Sequence, residues 1–254
     1  MSKSLIDVLT VIHLAMSLRK PAKDKKPIVR ESAVKALSNF DDGRVTEIIV
    51  EALNDEHQNI RACAAFYAGL RKEARAVDLL LALLQDESSK VRINAAVALG
   101  RLGDSRAAPP LIDILNNPGD ETARLPAVEA LGILGDPRAV EPLIKYYKDE
   151  NHLMRAAVAR SLGRTRDKRA VGPLIKMLQD KEYLVQLEAV LALKDVNDRS
   201  AVEPLIESLN AHWHAIRYNA SQILQTMTGQ NFELDYEKWK SWWAEHRSEF
   251  ENKQ

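Results

Sequence analysis

The sequence is short of several residue types on which common protein classes depend. Its single cysteine, Cys63, excludes an internal disulfide and a zinc site built from several cysteines, which fits a reducing compartment. Aromatic residues make up only 6% of the 254 residues, which is low for a β-sandwich or β-barrel. Lysine and arginine number 36, and so do aspartate and glutamate. The chain therefore lacks the net positive charge with which a general nucleic-acid binder displaces counterions from phosphates.

The chain also lacks a long apolar run. The longest one, residues 5–18, is interrupted by polar residues such as Asp7 and His13, whereas a bilayer span takes about 20 apolar residues. The same run is a poor signal peptide, because Arg19 and Lys20 follow it where small residues should mark a cleavage site. We expect a cytoplasmic protein without a membrane span.

What the sequence does have is an internal repeat. Arginines recur at steps of 31 residues, with a single step of 32 at the Asn117–Pro118–Gly119 loop and glutamine in the one gap. We call these the marker positions: Arg30, Arg61, Arg92, Arg124, Arg155, Gln186 and Arg217. Seven residues after each marker lies a leucine in six units and an alanine in the other. Several columns in register over seven units exclude chance, and such a period indicates a repeat architecture.

Each unit is predicted to form two helices. In the segment Val91–Gly103, Val91, Ala95 and Leu99 recur at helical spacing and predict one buried stripe on the helix that carries the marker, here called the marker helix. Glycines such as Gly103 and Gly135 are expected to end these helices. An acid lies twelve residues after the marker and is expected to cap the next helix. These acids are Asp42, Glu73, Asp104, Asp136, Asp167 and Asp198.

Helices of this length do not bury their apolar stripe alone, so the pairs are expected to stack. The unit DPRAVEPLIKYYKDENHLMRAAVARSLG, residues 136–163, resembles HEAT-like repeats of the short prokaryotic, phycobilin-lyase type. The resemblance covers residues 29–228. It implies an all-α fold, a right-handed α-solenoid of about seven HEAT-like helix pairs, in which the marker helices line the concave face.

The two ends depart from the repeat. Residues 1–28 predict an N-terminal helix with a linker, either the outer helix of the first pair or a cap. An interfacial membrane helix is the alternative, since basic residues follow it. Residues 229–254 predict a C-terminal capping helix in which Trp239, Trp242 and Trp243 share one face. The alternative for this tryptophan face is an aromatic binding site.

The marker arginines have a possible partner column, because most units carry an aspartate six residues before the marker. We expect a structural ladder in which these charges pair between neighbouring layers, rather than a row that binds anions. Its predicted members are Arg30, Arg61, Arg92, Arg124, Arg155 and Arg217 with Asp55, Asp86, Asp149 and Asp180.

Positions one and five residues after each marker are unusually apolar for a helix face that should meet solvent. Two interpretations are open: packing by neighbouring layers, or a concave hydrophobic patch, rimmed by arginines, that binds a partner. Together with the loop residue Trp213, the candidate partner-binding residues are Phe66, Ile93, Val97, Arg101, Leu125, Glu129, Arg160, Arg164, Leu187, Leu191, Trp213 and Tyr218.

No motif predicts catalysis, a cofactor or a metal. The sequence has neither a glycine-rich phosphate loop nor a nucleophile elbow. His212 and His214 lie close together, but no cysteine or further histidine lies near them in sequence to complete a metal site. Cys63 is expected to be a small buried residue.

The leading hypothesis is a non-enzymatic scaffold that binds a protein or peptide on its concave face. The resemblance also implies an alternative, a bilin lyase or a phycobilisome-related chromophore factor. A third, less favoured class is a nucleic-acid-binding protein, as in one family of DNA glycosylases with a HEAT-like fold. The neutral total charge and the acids Glu129 and Glu188 among the arginines weigh against it, so we expect no nucleic-acid partner.

Overall fold

The computed structural model describes residues 21–37, 43–117, 119 and 121–251. Within these residues all regular secondary structure is helical, which confirms the all-α fold class. The α-helices are α1 (Pro27–Leu37), α2 (Gly43–Ala52), α3 (Gln58–Leu70), α4 (Val77–Leu83), α5 (Ser89–Leu102), α6 (Ala108–Asn116), α7 (Glu121–Leu134), α8 (Val140–Ile144), α9 (His152–Thr165), α10 (Val171–Met177), α11 (Tyr183–Val196), α12 (Val202–Glu207), α13 (His214–Thr228) and α14 (Tyr236–Glu251). In the described part of the chain, none of these helices is long and apolar enough to cross a bilayer.

The chain divides into two compact units, Met1–Ala130 and Leu131–Gln254, and the boundary falls inside α7. In the first unit the marker helices α3 and α5 lie side by side, with α2 packed on α3 and α4 on α5. In the second unit α9, α11 and α13 are neighbouring marker helices, with α10 packed on α11 and α12 on α13. Each unit therefore repeats the helix pair that the 31-residue period predicts.

Glycines let neighbouring marker helices approach closely. A glycine eight residues after the marker faces a small residue six residues after the next marker, as Gly69 faces Ala98 and Gly163 faces Ala192. A Cβ atom on Gly69 would lie 2.5 Å from the Cα of Ala98, and one on Gly163 would lie 2.6 Å from the Cα of Ala192. Only glycine fits at such distances, so this column sets the spacing between layers.

The marker helices of the inner repeats end in a left-handed residue. Gly103 and Gly135 take this conformation with φ of 71° and 62°, as the sequence predicts. Lys72, Arg166 and Asn197 hold the equivalent position in other units, with φ between 52° and 54°. The turn is therefore imposed by the repeat even where a side chain makes it costly.

The acids after these turns cap a short 3₁₀ turn that opens the outer helix. The carboxylates of Asp104, Asp136, Asp167 and Asp198 each accept the backbone N–H two residues further on. Glu73 does not cap, and accepts the hydroxyl of Thr46 at 2.6 Å instead. Asp42 lies outside the described residues, as does the predicted helix within residues 1–28 up to residue 20.

The C-terminal helix α14 packs on α12 in the second unit. Trp239 is completely buried, its indole N–H donates to the Glu233 carbonyl at 3.0 Å, and its ring lies 5.0 Å from that of Phe232. Trp243 is also buried, and Trp242 is half-buried. Two of the three tryptophans that share this helix face are therefore packed into the second unit.

Candidate functional site

Three of the marker arginines, Arg30, Arg61 and Arg155, bind aspartates of the following repeat through paired hydrogen bonds. Arg30 donates from Nε and Nη2 to the two carboxylate oxygens of Asp55, each at 2.8 Å. Arg61 binds Asp86 at 2.7 and 2.9 Å, and Arg155 binds Asp180 at 2.7 and 2.8 Å, in the same way. The Nη1 of each arginine donates to the carbonyl oxygen six residues before it. These three guanidinium groups thus join neighbouring layers.

These ion pairs change the pKa of the carboxylates. Burial raises the pKa of Asp55, but the hydrogen bonds from Arg30 and from the His57 backbone outweigh it, so the pKa lies below the ordinary 3.8. The pKa of Asp86 and that of Asp180 are lowered by the same balance, with Arg61 and Arg155 as donors. All three carboxylates therefore remain ionised well into the acidic range.

The other predicted ladder residues keep the backbone contact. Nη1 of Arg92 and Arg217 and the Gln186 amide donate to the carbonyl six residues before them. Arg124, whose unit has the extra residue, donates to the carbonyl of Asn117, one residue further back. The Asp149 carboxylate accepts the backbone N–H of Asn151 at 2.8 Å.

Six of the candidate partner-binding residues lie on α3, α5 and α7 of the first unit. Phe66 is 38% exposed, Ile93, Val97 and Leu125 are half-buried, and Glu129 is exposed. Leu70, which is 56% exposed one turn beyond Phe66, extends the surface and was not among the predicted residues. We call this surface the unit-1 face: Phe66, Leu70, Ile93, Val97, Arg101, Leu125 and Glu129.

Arg101 lies against the aromatic ring of the unit-1 face. Its guanidinium carbon is 5.4 Å from the centroid of the Phe66 ring, a cation–π distance. Its Nη1 atom is buried and has no hydrogen-bond acceptor among the described residues. Arg101 is thus part of the apolar surface itself rather than only its rim.

The other six candidates lie in the second unit and form what we call the unit-2 face: Arg160, Arg164, Leu187, Leu191, Trp213 and Tyr218. Leu191 is 36% exposed, Tyr218 is 52% exposed, Arg164 is exposed and Leu187 is half-buried. The Arg160 guanidinium binds the Glu188 carboxylate at 2.7 and 3.1 Å, so this arginine is already paired within the chain.

Trp213 sits at the N-terminal edge of α13 rather than along the helix face. It is 45% exposed, and its ring contacts those of Tyr183 and His212, with centroids 5.2 and 4.8 Å away. Tyr183 is itself 37% exposed and was not among the predicted residues. A polar cavity of about 360 Å³ lies beside Trp213 and is lined by Gln179, Gln186 and Glu207 among others.

The described residues hold no cluster of three or more histidine, cysteine, aspartate or glutamate side chains that could bind a metal. Cys63 is half-buried on α3, where burial raises the pKa of its thiol to about 11. A thiol with that pKa is protonated at neutral pH and is a poor nucleophile.

Two family models match the chain. The one described as HEAT repeats matches residues 46–132 and 108–183, together more than half of the chain. The one described as PBS lyase HEAT-like repeat matches residues 29–55 and 185–211. No curated protein matches significantly.

Solved structures show similar folds. The complex of CpcE and CpcF of phycocyanin lyase from Nostoc sp. PCC7120 is 27% identical over 72% of this chain and 76% of that chain, with a TM-score of 0.57. The Escherichia coli protein YibA is 19% identical over 95% of both chains, with a TM-score of 0.57. A designed armadillo repeat protein in complex with the peptide (KR)4 is 19% identical over 71% of this chain and 98% of that chain, also with a TM-score of 0.57. At 19% identity, the similarity to YibA and to the designed armadillo repeat protein shows the fold alone.

Proposed function

The chain belongs to the HEAT-repeat family, and on that premise we propose that it is a non-enzymatic, cytoplasmic adaptor that binds another protein through its marker helices. The observation that carries the proposal is the exposed apolar surface on these helices. Phe66 and Leu70 in the unit-1 face, and Leu191 and Tyr218 in the unit-2 face, are each at least 36% exposed. Apolar side chains grouped on one face of a folded domain are typical of partner-binding surfaces.

The chemistry of the polar groups supports binding rather than catalysis. The ladder arginines Arg30, Arg61 and Arg155 form ion pairs within the chain, and the pKa of the Cys63 thiol is raised. A general acid, base or nucleophile works best with a pKa near the working pH, and these groups are shifted away from it.

The test is an affinity pull-down from the native host with two matched variants. Phe66→Ser combined with Leu191→Asp alters both faces, whereas Ile28→Ser combined with Leu234→Ser alters exposed apolar residues outside them. We expect the wild type and the second variant to retain the same protein, and the first variant to lose it while its helical circular dichroism is unchanged. Equal retention by both variants would exclude these faces as the site.

A bilin-related role is the second candidate function. It is favoured by the similarity to the CpcE–CpcF complex of phycocyanin lyase and by the match to the PBS lyase HEAT-like repeat. The purified chain mixed with phycocyanobilin should then change the absorbance spectrum of the pigment. An unchanged spectrum would count against this function and would leave the adaptor proposal in place.

A further inference from the structure

The unit-1 face combines apolar side chains with one incompletely bonded cation. Ile93, Val97 and Arg101 follow one another at one-turn intervals on α5, and Phe66 and Leu70 do the same on α3. Arg101 covers the Phe66 ring, while its buried Nη1 has no acceptor among the described residues. Arg101 as a whole is only half-buried, so the accessible part of its guanidinium can accept a carboxylate from outside the chain.

Arg160 in the unit-2 face shows how the chain otherwise satisfies such a group. Its guanidinium meets the Glu188 carboxylate with two hydrogen bonds, and the ladder arginines are bonded in the same bidentate manner. In the unit-1 face the acidic residue is Glu129 on α7, and the structure shows no ion pair between it and Arg101 within the described residues. A carboxylate that pairs with the accessible part of the Arg101 guanidinium would therefore come from a partner.

We propose that the unit-1 face binds an amphipathic helix of a partner protein whose apolar side chains cover Phe66, Leu70 and Val97 and whose one aspartate or glutamate pairs with Arg101. This inference rests on the proposed adaptor function and names the chemistry of its partner. Rows of apolar residues one turn apart fit the three-to-four-residue spacing of an amphipathic helix. The partner carboxylate binds the guanidinium while the cation stays on the ring, and the exclusion of water strengthens both contacts.

The test selects binders from a random-peptide display library on the intact wild-type protein and, separately, on the Arg101→Glu variant. The wild type should enrich peptides with apolar residues at three-to-four-residue spacing and one acidic residue. The variant should enrich lysine or arginine at the acidic position. For a synthetic peptide from the wild-type selection, Arg101→Gln should weaken binding by about tenfold to a hundredfold, as expected for a charge-assisted pair.

Two further variants separate the outcomes. Phe66→Ser should abolish binding, and Arg106→Gln, which alters an exposed arginine paired with Asp104 and Asp78, should leave it unchanged. Peptides that need Phe66 but show no acidic preference and ignore Arg101 would overturn this inference and leave the adaptor function standing. A selection without any Phe66-dependent peptide would overturn the inference and count against the adaptor function at this face. Binding of a short DNA oligonucleotide that Arg101→Glu abolishes would assign Arg101 to a phosphate and would also overturn it.

Discussion

At the scale of single residues, the marker arginine serves two layers at once. Arg155 holds the Asp180 carboxylate of the next repeat and the carbonyl of Asp149 in the loop before its own helix. The Arg155 and Asp180 side chains are 8% and 13% exposed, so water competes little for either charge. Removing one partner of such a pair leaves the other charge buried and unpaired.

Arg155→Ala should therefore lower the free energy of unfolding by about 3 kcal/mol, since a buried charge loses its partner. Urea denaturation followed by circular dichroism measures this change. Arg169→Ala is the matched control, because Arg169 pairs with Asp167 at the exposed surface, where ion pairs contribute little. Equal stability of the wild type and Arg155→Ala would contradict a structural role for the ladder.

The same ion pairs predict how stability depends on pH. The pKa of Asp180 is lower in the folded chain than its ordinary value of 3.8, as are those of Asp55 and Asp86. Their contribution is therefore fully present above the unfolded pKa, and it is lost as the pH falls through the folded pKa. Urea denaturation should give a free energy of unfolding that declines below about pH 4. The decline should be shallower in Asp180→Asn, and an identical pH profile would contradict this assignment.

The candidate faces show what sequence reasoning can and cannot find. The positions one and five residues after the marker were identified because they are apolar in most units. Leu70 and Ile133, nine residues after their markers, are also exposed but were missed, because Arg101 and Arg164 occupy that column in other units. The Arg160–Glu188 pair was missed because it depends on the lateral offset of two helices, which the pattern of a single helix does not define.

At the scale of elements, the contact between marker helices is made by glycine against small side chains. The 31-residue period predicted stacked helices, but the glycine column at their contacts was not recognised. Which residues of two neighbouring helices oppose each other depends on their relative rotation and translation. The capping acids were easier to predict, since a cap involves residues only two positions apart.

Gly163→Ala should destabilise the second unit by about 1–3 kcal/mol, because the new Cβ atom forces α9 away from Ala192 on α11. Gly172→Ala is the matched control in the neighbouring helix α10. Apart from its chain neighbours and its own helix, no atom lies within 4 Å of its Cβ position, and Glu141 and Glu203 hold the equivalent position in other units, so this change should leave stability nearly unchanged. Thermal denaturation should give a lower Tm for Gly163→Ala alone, and equal Tm values for the two variants would contradict close packing at Gly163.

At the scale of the whole molecule, positive and negative charges are equal in number, and the ladder pairs some of them with each other. The 36 basic residues equal the 36 acidic ones, and the ladder joins members of both groups. Partner binding through apolar faces is therefore expected to depend little on long-range electrostatics.

The affinity for a partner peptide should accordingly fall by less than about tenfold between about 50 and 200 mM salt, because a single ion pair at Arg101 is involved. A protein that makes six to ten phosphate contacts loses about 10³–10⁵ in affinity over the same range. Fluorescence anisotropy of the labelled peptide at several salt concentrations measures the slope. A steep slope would point to many ionic contacts and against an apolar interface.

The left-handed turns that follow the marker helices also set where the chain is open to proteases. Lys72 and Arg166 are exposed at such turns, whereas the loops before the marker helices are clamped by guanidinium groups bonded to their carbonyls. Trypsin needs an extended strand of several residues in its cleft, which a clamped loop supplies less readily. Among the described residues, limited digestion should therefore cut first after Lys72 and Arg166, and each cut should fall between one helix pair and the next.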